Sequence, residues 1–360
     1  MYDIAIIGGG ASGITCAIVA KNRGKKVLLI EKEDKLGKKI LVTGNGKCNI
    51  SNVDISTDYY NTKKVAELIK IDVVGFLKNC GIMTKVMDGR IYPYSESALT
   101  VVSALRKHLQ GVDIVTEKEI NKIEKVSDYF IVGGYEAKNI VLASGSNATK
   151  GTLSHNLYVA FGHTVTTMRP AIVPLISDVK YTKGMTNLRA KVKISLKKDN
   201  KIVYSQNGEV LFKDNGLSGI ASMMLSSFIA RNGGDYEVVI DFAPDLSCET
   251  IDTFLRNNTL DGLLHKAIAQ GVSKYALDNG KKESIAVKEF VVKNVKLGKI
   301  SNAQVVCGGL NFDEFDENLQ SKIQPKLYAC GEVLDVDGDC GGYNLHFALA
   351  SGIRVGNAIC

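Results

Sequence analysis

The residues best suited to chemistry stand near the two ends of the chain. At the start, Gly8-Gly9-Gly10-Ala11-Ser12-Gly13 spaces three glycines as G-x-G-x-x-G, and Glu31 follows 23 positions after Gly8. Those types in that order make a phosphate cradle. Gly8 permits a tight turn, Gly10 lets an anion approach the backbone, and Gly13 lets a helix pack closely on the preceding strand. Ala11 and Ser12 open that helix, whose unpaired N–H groups and dipole favour negative charge. Glu31, followed by Lys32, is then placed to accept hydrogen bonds from ribose hydroxyls. At the other end, Cys330-Gly331-Glu332 with Asp335 closes an apolar run, and Gly341-Gly342-Tyr343-Asn344-Leu345 opens a final helix.

The elements that must hold these residues are legible around them. Ile4 to Ile7 is a short apolar strand, Ile14 to Arg23 has a helical pattern, and Val27 to Ile30 is a second strand ending at Glu31. Strand, glycine turn, helix and acid together indicate a Rossmann-type dinucleotide site. The glycines alone do not separate FAD from NAD, because both carry the same ADP half. The far end decides it: Lys326 to Ala329 reads as a strand returning to the first sheet with Gly331 and Glu332 at its tip, which suits the ribitol and pyrophosphate of FAD. The glycine turn at Gly341 and Gly342 would aim N–H groups where a flavin gains negative charge on reduction.

Two further segments belong to the expected site. Gly37 to Asn49 is rich in glycine and lysine, and Lys38, Lys39, Thr43, Gly44, Gly46, Lys47, Cys48 and Asn49 are expected to run beside the cofactor. For Lys38 and Lys39 a solvated basic loop is the competing reading. Ile140 to Ala143 is a strand ending in Ser144-Gly145-Ser146-Asn147, where a second close backbone approach is expected at Ala143, Ser144 and Gly145. His346 and Tyr92 are the candidates for proton transfer, each weighed against simple packing. The five histidines show no metal-ligand spacing, so no metal is expected.

Composition narrows the class. With 360 residues and 45% hydrophobic content the chain can bury a large cofactor. Its net charge of +7 is spread among acidic neighbours, which argues against a nucleic-acid partner and fits an anionic cofactor. No apolar run reaches the roughly 18 residues of a membrane span, and the N-terminus has no signal-peptide pattern, so no membrane partner and a cytoplasmic location are expected. Eight dispersed cysteines without a CxxC pair read as reduced thiols and disfavour dithiol chemistry. Nothing in the sequence indicates an oligomeric state.

After the Rossmann pattern stops, Met168 to Leu175 carries two prolines, as a crossing between domains would. Ala190–Leu196, Ile202–Ser205 and Tyr236–Phe242 are β-prone, and Cys248 to Leu277 reads as helices. The expected fold class is α/β: a Rossmann-like FAD-binding domain (1–150 and 303–360) interrupted by a β-rich region that suggests an antiparallel sheet or barrel (168–245 and 283–302) and by a helical stretch (246–282).

With Gly44-Asn45-Gly46-Lys47-Cys48-Asn49, Gly89-Arg90-Ile91-Tyr92-Pro93, Gly331 to Gly338 and Gly216-Leu217-Ser218-Gly219 in view, the chain resembles the bacterial YhiN/BaiN-like flavoproteins, also labelled aminoacetone oxidase-like, over essentially its whole length. The resemblance implies the same three-part architecture, with the substrate pocket between the domains, and makes hydride transfer to an unsaturated substrate plausible. The chain departs from the family at Asp214-Asn215-Gly216, where members often carry Thr-His before the glycine. A role held by that histidine has no matching residue here.

Three functions compete at this stage. The leading one is an FAD-dependent oxidoreductase passing hydride from NADH or NADPH, bound transiently, to an unsaturated or carbonyl small molecule. The second is an amine or aminoketone oxidase using oxygen. The third is an RNA-modifying or sensor protein whose FAD is structural.

Overall fold

The computed structural model describes residues 1–146 and 154–359; Asn147, expected at the second glycine turn, lies outside them. The chain divides into two compact units, Met1–Met168 with Val305–Cys360, and Arg169–Gln304.

The first unit is built on a seven-stranded sheet. Its main path runs 113–115, 27–30, 2–7, 135–142, 129–132 and 123–126, and Leu327–Ala329 pairs with the far half of 135–142. Tyr2–Ile7 is parallel to both Val27–Ile30 and Tyr135–Leu142. Ile4 to Ile7, Val27 to Ile30 and Ile140 to Leu142 are all buried, the unbroken apolar signature of parallel strands covered on both faces. Chain order reverses direction at Tyr2–Ile7, so this strand is the switch point at whose carboxyl end such folds bind ligands.

The helix after the glycine turn, Ala11–Asn22, is buried from Ser12 to Ile18. It is covered by the C-terminal helix, Tyr343–Ala358, through a notch of two glycines one turn apart. A Cβ on Gly352 would lie 2.4 Å from the Ser12 carbonyl oxygen, and one on Gly356 would lie 2.7 Å from Val19 Cβ. Arg23 then caps the final helix, donating to the carbonyls of Gly356, Asn357 and Ile359. A small three-stranded sheet of 51–52, 90–93 and 84–87 completes this unit.

The second unit is an all-antiparallel sheet in the order 290–292, 237–241, 189–198, 201–213, 216–218, 175–176 and 296–297. Among the described residues the two end strands do not pair, so the path stays open. The helices Cys248–Leu255, Lys266–Asp278 and Glu283–Lys288 share one apolar core with it: Ile251, Ile268 and Val272 pack with Ile194, Val238 and Phe290. The helical segment expected as its own domain thus lies within this unit. No described helix is long and apolar enough to cross a membrane.

Candidate cofactor-binding site

The carboxyl ends of three parallel strands place Gly8, Ala143 and Gly331 side by side. The fit is tight at the base. A Cβ on Gly8, whose φ is +112°, would lie 2.4 Å from the Ala143 carbonyl oxygen, and one on Gly13 would lie 1.9 Å from the Gly8 carbonyl oxygen. A Cβ on Gly331 would lie 2.5 Å from Ser12 Oγ, a hydroxyl that donates to the Cys330 carbonyl. These glycines exist so that backbones can touch.

Gly10 and Gly145 are different. A Cβ at either would meet nothing within 4 Å. Gly10 also has extended backbone, φ −80° and ψ −167°, that any residue can adopt. Its lack of a side chain leaves space, directly at the start of Ala11–Asn22, where Ala11 and Ser12 present helix-terminal N–H groups. An open cradle facing a helix N-terminus is what a pyrophosphate needs, so the residues fit the ADP half of FAD.

Glu31 reaches back to this turn. Its carboxylate accepts from Gly9 N–H at 2.6 Å and from Glu33 N–H at 3.0 Å, one bond per oxygen, which leaves acceptor capacity for ribose hydroxyls. Lys32 beside it is exposed. Lys39 and Glu332 form an ion pair, and Glu332 also accepts from Val306 N–H at 3.0 Å. Ser144 Oγ meets Ser154 Oγ at 2.5 Å, tying the end of strand 135–142 to the segment after it.

Several residues expected at the cofactor have protein partners of their own. Lys38 pairs with Glu33 and Asp34 on the surface, as its position one helical turn after Asp34 dictates. Lys47 pairs with Glu96, whose carboxyl Lys85 and Lys47 together hold down to about 2. Cys48 is fully buried, and burial pushes its thiol up to about 11, so it is no thiolate nucleophile or redox thiol at neutral pH. Asp335 accepts from Thr166 Oγ1 at 2.7 Å and from Asn61 Nδ2 at 3.2 Å, pinning its loop. Thr43 Oγ1 donates to the Ile40 carbonyl at 2.7 Å, Gly46 is a positive-φ turn, and a Cβ on Gly44 would press on Asn49 N at 2.8 Å.

A second node joins the 48–52 segment to the turn before the final helix. Asn49, with its amide oriented to satisfy both neighbours, donates to the Ser51 carbonyl at 3.0 Å and accepts from Gly342 N–H at 3.2 Å. Asn52 Nδ2 donates to the Gly341 carbonyl at 3.1 Å. Asn344 accepts from Gly338 N–H at 2.8 Å and donates back to the Gly338 carbonyl at 2.7 Å, so its side chain closes the loop. Tyr343 is buried and stacked on Tyr59 with ring centroids 4.5 Å apart; Leu345 packs on the core.

His346, expected as a proton donor, lies in this node and is hydrogen-bonded at both ring nitrogens. Its Nε2 lies 3.0 Å from the Ile69 carbonyl, which can only accept, so Nε2 carries the hydrogen. Nδ1 then accepts from Ser51 O–H at 2.8 Å. Burial lowers its pKa, and both nitrogens are spent on structure. Tyr92 is half-buried in strand Arg90–Pro93, opposite Lys85.

Sequence reasoning passed over Ser351, whose Oγ accepts from Gly331 N–H at 2.9 Å, and Asn61 and Thr166, which hold Asp335. Their partners lie far away in sequence, so no local signal marks them. It also passed over His155, buried beside Glu332 and Val333.

The fold and this cradle define a Rossmann-type flavoprotein oxidoreductase that takes FAD. A family model described as "HI0933-like protein Rossmann domain" matches residues 2–358, and the chain belongs to that family. It is 29% identical to a 3-dehydro-bile acid delta(4,6)-reductase of Clostridium scindens, over 99% of each chain. It is 25% identical to a ribosomal RNA dihydrouridine synthase of Escherichia coli, over 97% of this chain and 96% of that one. Among solved structures, a flavocytochrome c3 fumarate reductase matches 99% of this chain and 78% of its own, with 15% identity and a TM-score of 0.56. A 3-ketosteroid-delta4-(5alpha)-dehydrogenase from Rhodococcus jostii RHA1 matches 99% and 96%, with 14% identity and a TM-score of 0.53. At these identities the two structures show a shared fold.

Proposed function

We propose that this protein reduces a carbon–carbon double bond conjugated to a carbonyl in a small organic substrate, with NADH or NADPH as a transient donor. FAD, when bound, supplies the hydride-carrying centre. The chain's own part is to hold it: the open Gly10 cradle and the helix start at Ala11 and Ser12 for the pyrophosphate, and Glu31 for the ribose. The observation that carries the reading is the one such cradle among the described residues, together with a full-length likeness to a relative named as a 3-dehydro-bile acid delta(4,6)-reductase. The dispersed cysteines, with no CxxC pair, support a reducing, cytoplasmic setting.

A second reading has its own support. The unit Arg169–Gln304 holds 20 Lys and Arg against 14 Asp and Glu, so nearly all of the basic surplus resides there and not evenly along the chain. That asymmetry suits a polyanionic substrate, and uracil in RNA carries the same conjugated double bond that the dihydrouridine-forming relatives saturate, judging by their name.

The test is an anaerobic titration of the flavin-loaded protein with NADH and NADPH, followed at the oxidised-flavin absorbance. Rapid bleaching, then reoxidation by a cyclic enone and not by RNA, is the expected result. Reoxidation by uridine-containing RNA with a steep salt dependence selects the second reading. Absence of bleaching, with hydrogen peroxide formed from an amine, sinks both in favour of an oxidase.

A further inference from the structure

Gly89-Arg90-Ile91-Tyr92-Pro93 takes no part in the phosphate cradle, and its fold gives it another use. Asp88 and Gly89, with φ of +48° and +74°, make a two-residue hairpin between strands Thr84–Met87 and Arg90–Pro93. The hairpin is fastened to the 50–53 segment: Ile50 N–H donates to the Ile91 carbonyl at 2.8 Å and Val53 N–H to the Gly89 carbonyl at 2.9 Å. Arg90 is the register partner of Asn52, whose amide donates to the Gly341 carbonyl at 3.1 Å. Its charge is felt at Cys340, where it opposes the upward push of burial on the thiol. Arg90 therefore stands beside the Cys340-Gly341-Gly342 turn that opens the final helix.

Its guanidinium has no protein partner there. Arg23, Arg106 and Arg169 donate to backbone carbonyls and Arg189 pairs with Glu209, whereas half-buried Arg90 makes no hydrogen bond or ion pair with a described residue. Tyr92 lies two positions on, about 6.6 Å along the same face of the strand. It is half-buried too, and its hydroxyl has no hydrogen-bond partner among the described residues. Lys85, opposite Tyr92 on that face, is paired with Glu96, as is Lys47. The face thus offers one uncompensated cation and one hydroxyl donor. A partly buried charge without a counter-ion favours an anion over a neutral oxygen, and the guanidinium fork matches the two oxygens of a carboxylate.

We infer that Arg90 and Tyr92 grip a carboxylate of the substrate, so that the double bond to be reduced belongs to an organic acid. The inference rests on the proposed reduction and adds the charge of its substrate and the residues that read it.

The test uses the full-length, flavin-loaded protein and two probes, a cyclic enone bearing a carboxylate side chain and its methyl ester. Affinity for each is measured by calorimetry on the oxidised protein without reductant, which needs no turnover; KM and kcat are measured separately with NADH and NADPH. Wild type binds the acid roughly 10- to 150-fold more tightly than the ester, the range for hydrogen bonds to a charged group. Arg90→Gln brings that ratio close to one, with the loss in KM and not in kcat. Arg90→Lys keeps part of the ratio, and Tyr92→Phe weakens acid binding by roughly two- to tenfold. An acid bound no better than the ester by wild type, or a ratio that survives Arg90→Gln, overturns the inference. So does an Arg90→Gln protein that binds both probes more weakly and melts at a lower temperature, the mark of a structural role. Acid binding that follows the expected pattern without reduction of either probe keeps the inference and overturns the proposed reaction instead.

Discussion

Gly10→Ala separates space from conformation at the phosphate cradle. The backbone there is extended, at φ −80° and ψ −167°, and an added Cβ touches nothing within 4 Å. The apoprotein should therefore gain about 0.4–1 kcal/mol, because alanine has fewer unfolded conformations to lose. The loaded protein should lose much more. A phosphate oxygen bonds a backbone N–H at about 2.9 Å, whereas a methyl carbon requires about 3.5–4.0 Å, so the group is pushed out by roughly 1 Å. Forfeiting charge-assisted bonds of about 1.5–3 kcal/mol weakens FAD binding by roughly 10- to 150-fold. Gly13→Ala is the control: its Cβ would lie 1.9 Å from the Gly8 carbonyl oxygen, and both atoms belong to backbone or its first side-chain bond, which cannot swing away. That variant should lose about 3 kcal/mol or more even without cofactor. Flavin-fluorescence titration gives the affinities and urea unfolding of the apoproteins gives the stabilities. Wild-type FAD affinity in Gly10→Ala, or an apoprotein as damaged as Gly13→Ala, would refute the reasoning.

Gly352→Ala should cost about 1–3 kcal/mol, because its Cβ would press on the Ser12 carbonyl at 2.4 Å, and should weaken FAD binding because Ser12 opens the phosphate-facing helix. Denaturant unfolding with and without FAD checks both. His346 has a folded pKa below its unfolded value, so the unfolded chain takes up a proton first; stability falls as pH drops below about 6.5, the ordinary histidine value. His346→Phe should flatten that decline by one histidine's share while leaving the pH profile of flavin reduction unmoved. A shifted kinetic profile would instead assign it the proton-donor role. Among the described cysteines, Cys248 is exposed, whereas Cys48 and Cys330 are buried with thiols pushed up to about 11 and about 12. Iodoacetamide at pH 7.5 followed by mass mapping should modify Cys248 first and those two only after unfolding.

Much of the cradle was legible in the sequence because its causes are local. Gly8, Gly10 and Gly13 announce a strand–turn–helix by spacing, and the apolar runs Ile4–Ile7 and Val27–Ile30 announce a covered parallel sheet. The return of residues 327–329 to that sheet was also foreseeable, because an apolar strand must pair somewhere. The partner of Lys38 in Asp34, one turn before it, went unread although charge spacing could have shown it.

The sequence by itself determined the element types, the cofactor cradle and the class of chemistry, since each follows from side-chain size and backbone freedom within a few residues. Only the tertiary structure decided which polar groups are spent and which are spare. His346 was a candidate proton donor weighed against packing, and its partners Ser51 and Ile69, 295 and 277 positions away, are visible only in the fold. A hydrogen bond between distant segments leaves no mark on either one alone, so the accounting of buried donors and acceptors exists only once the chain is folded.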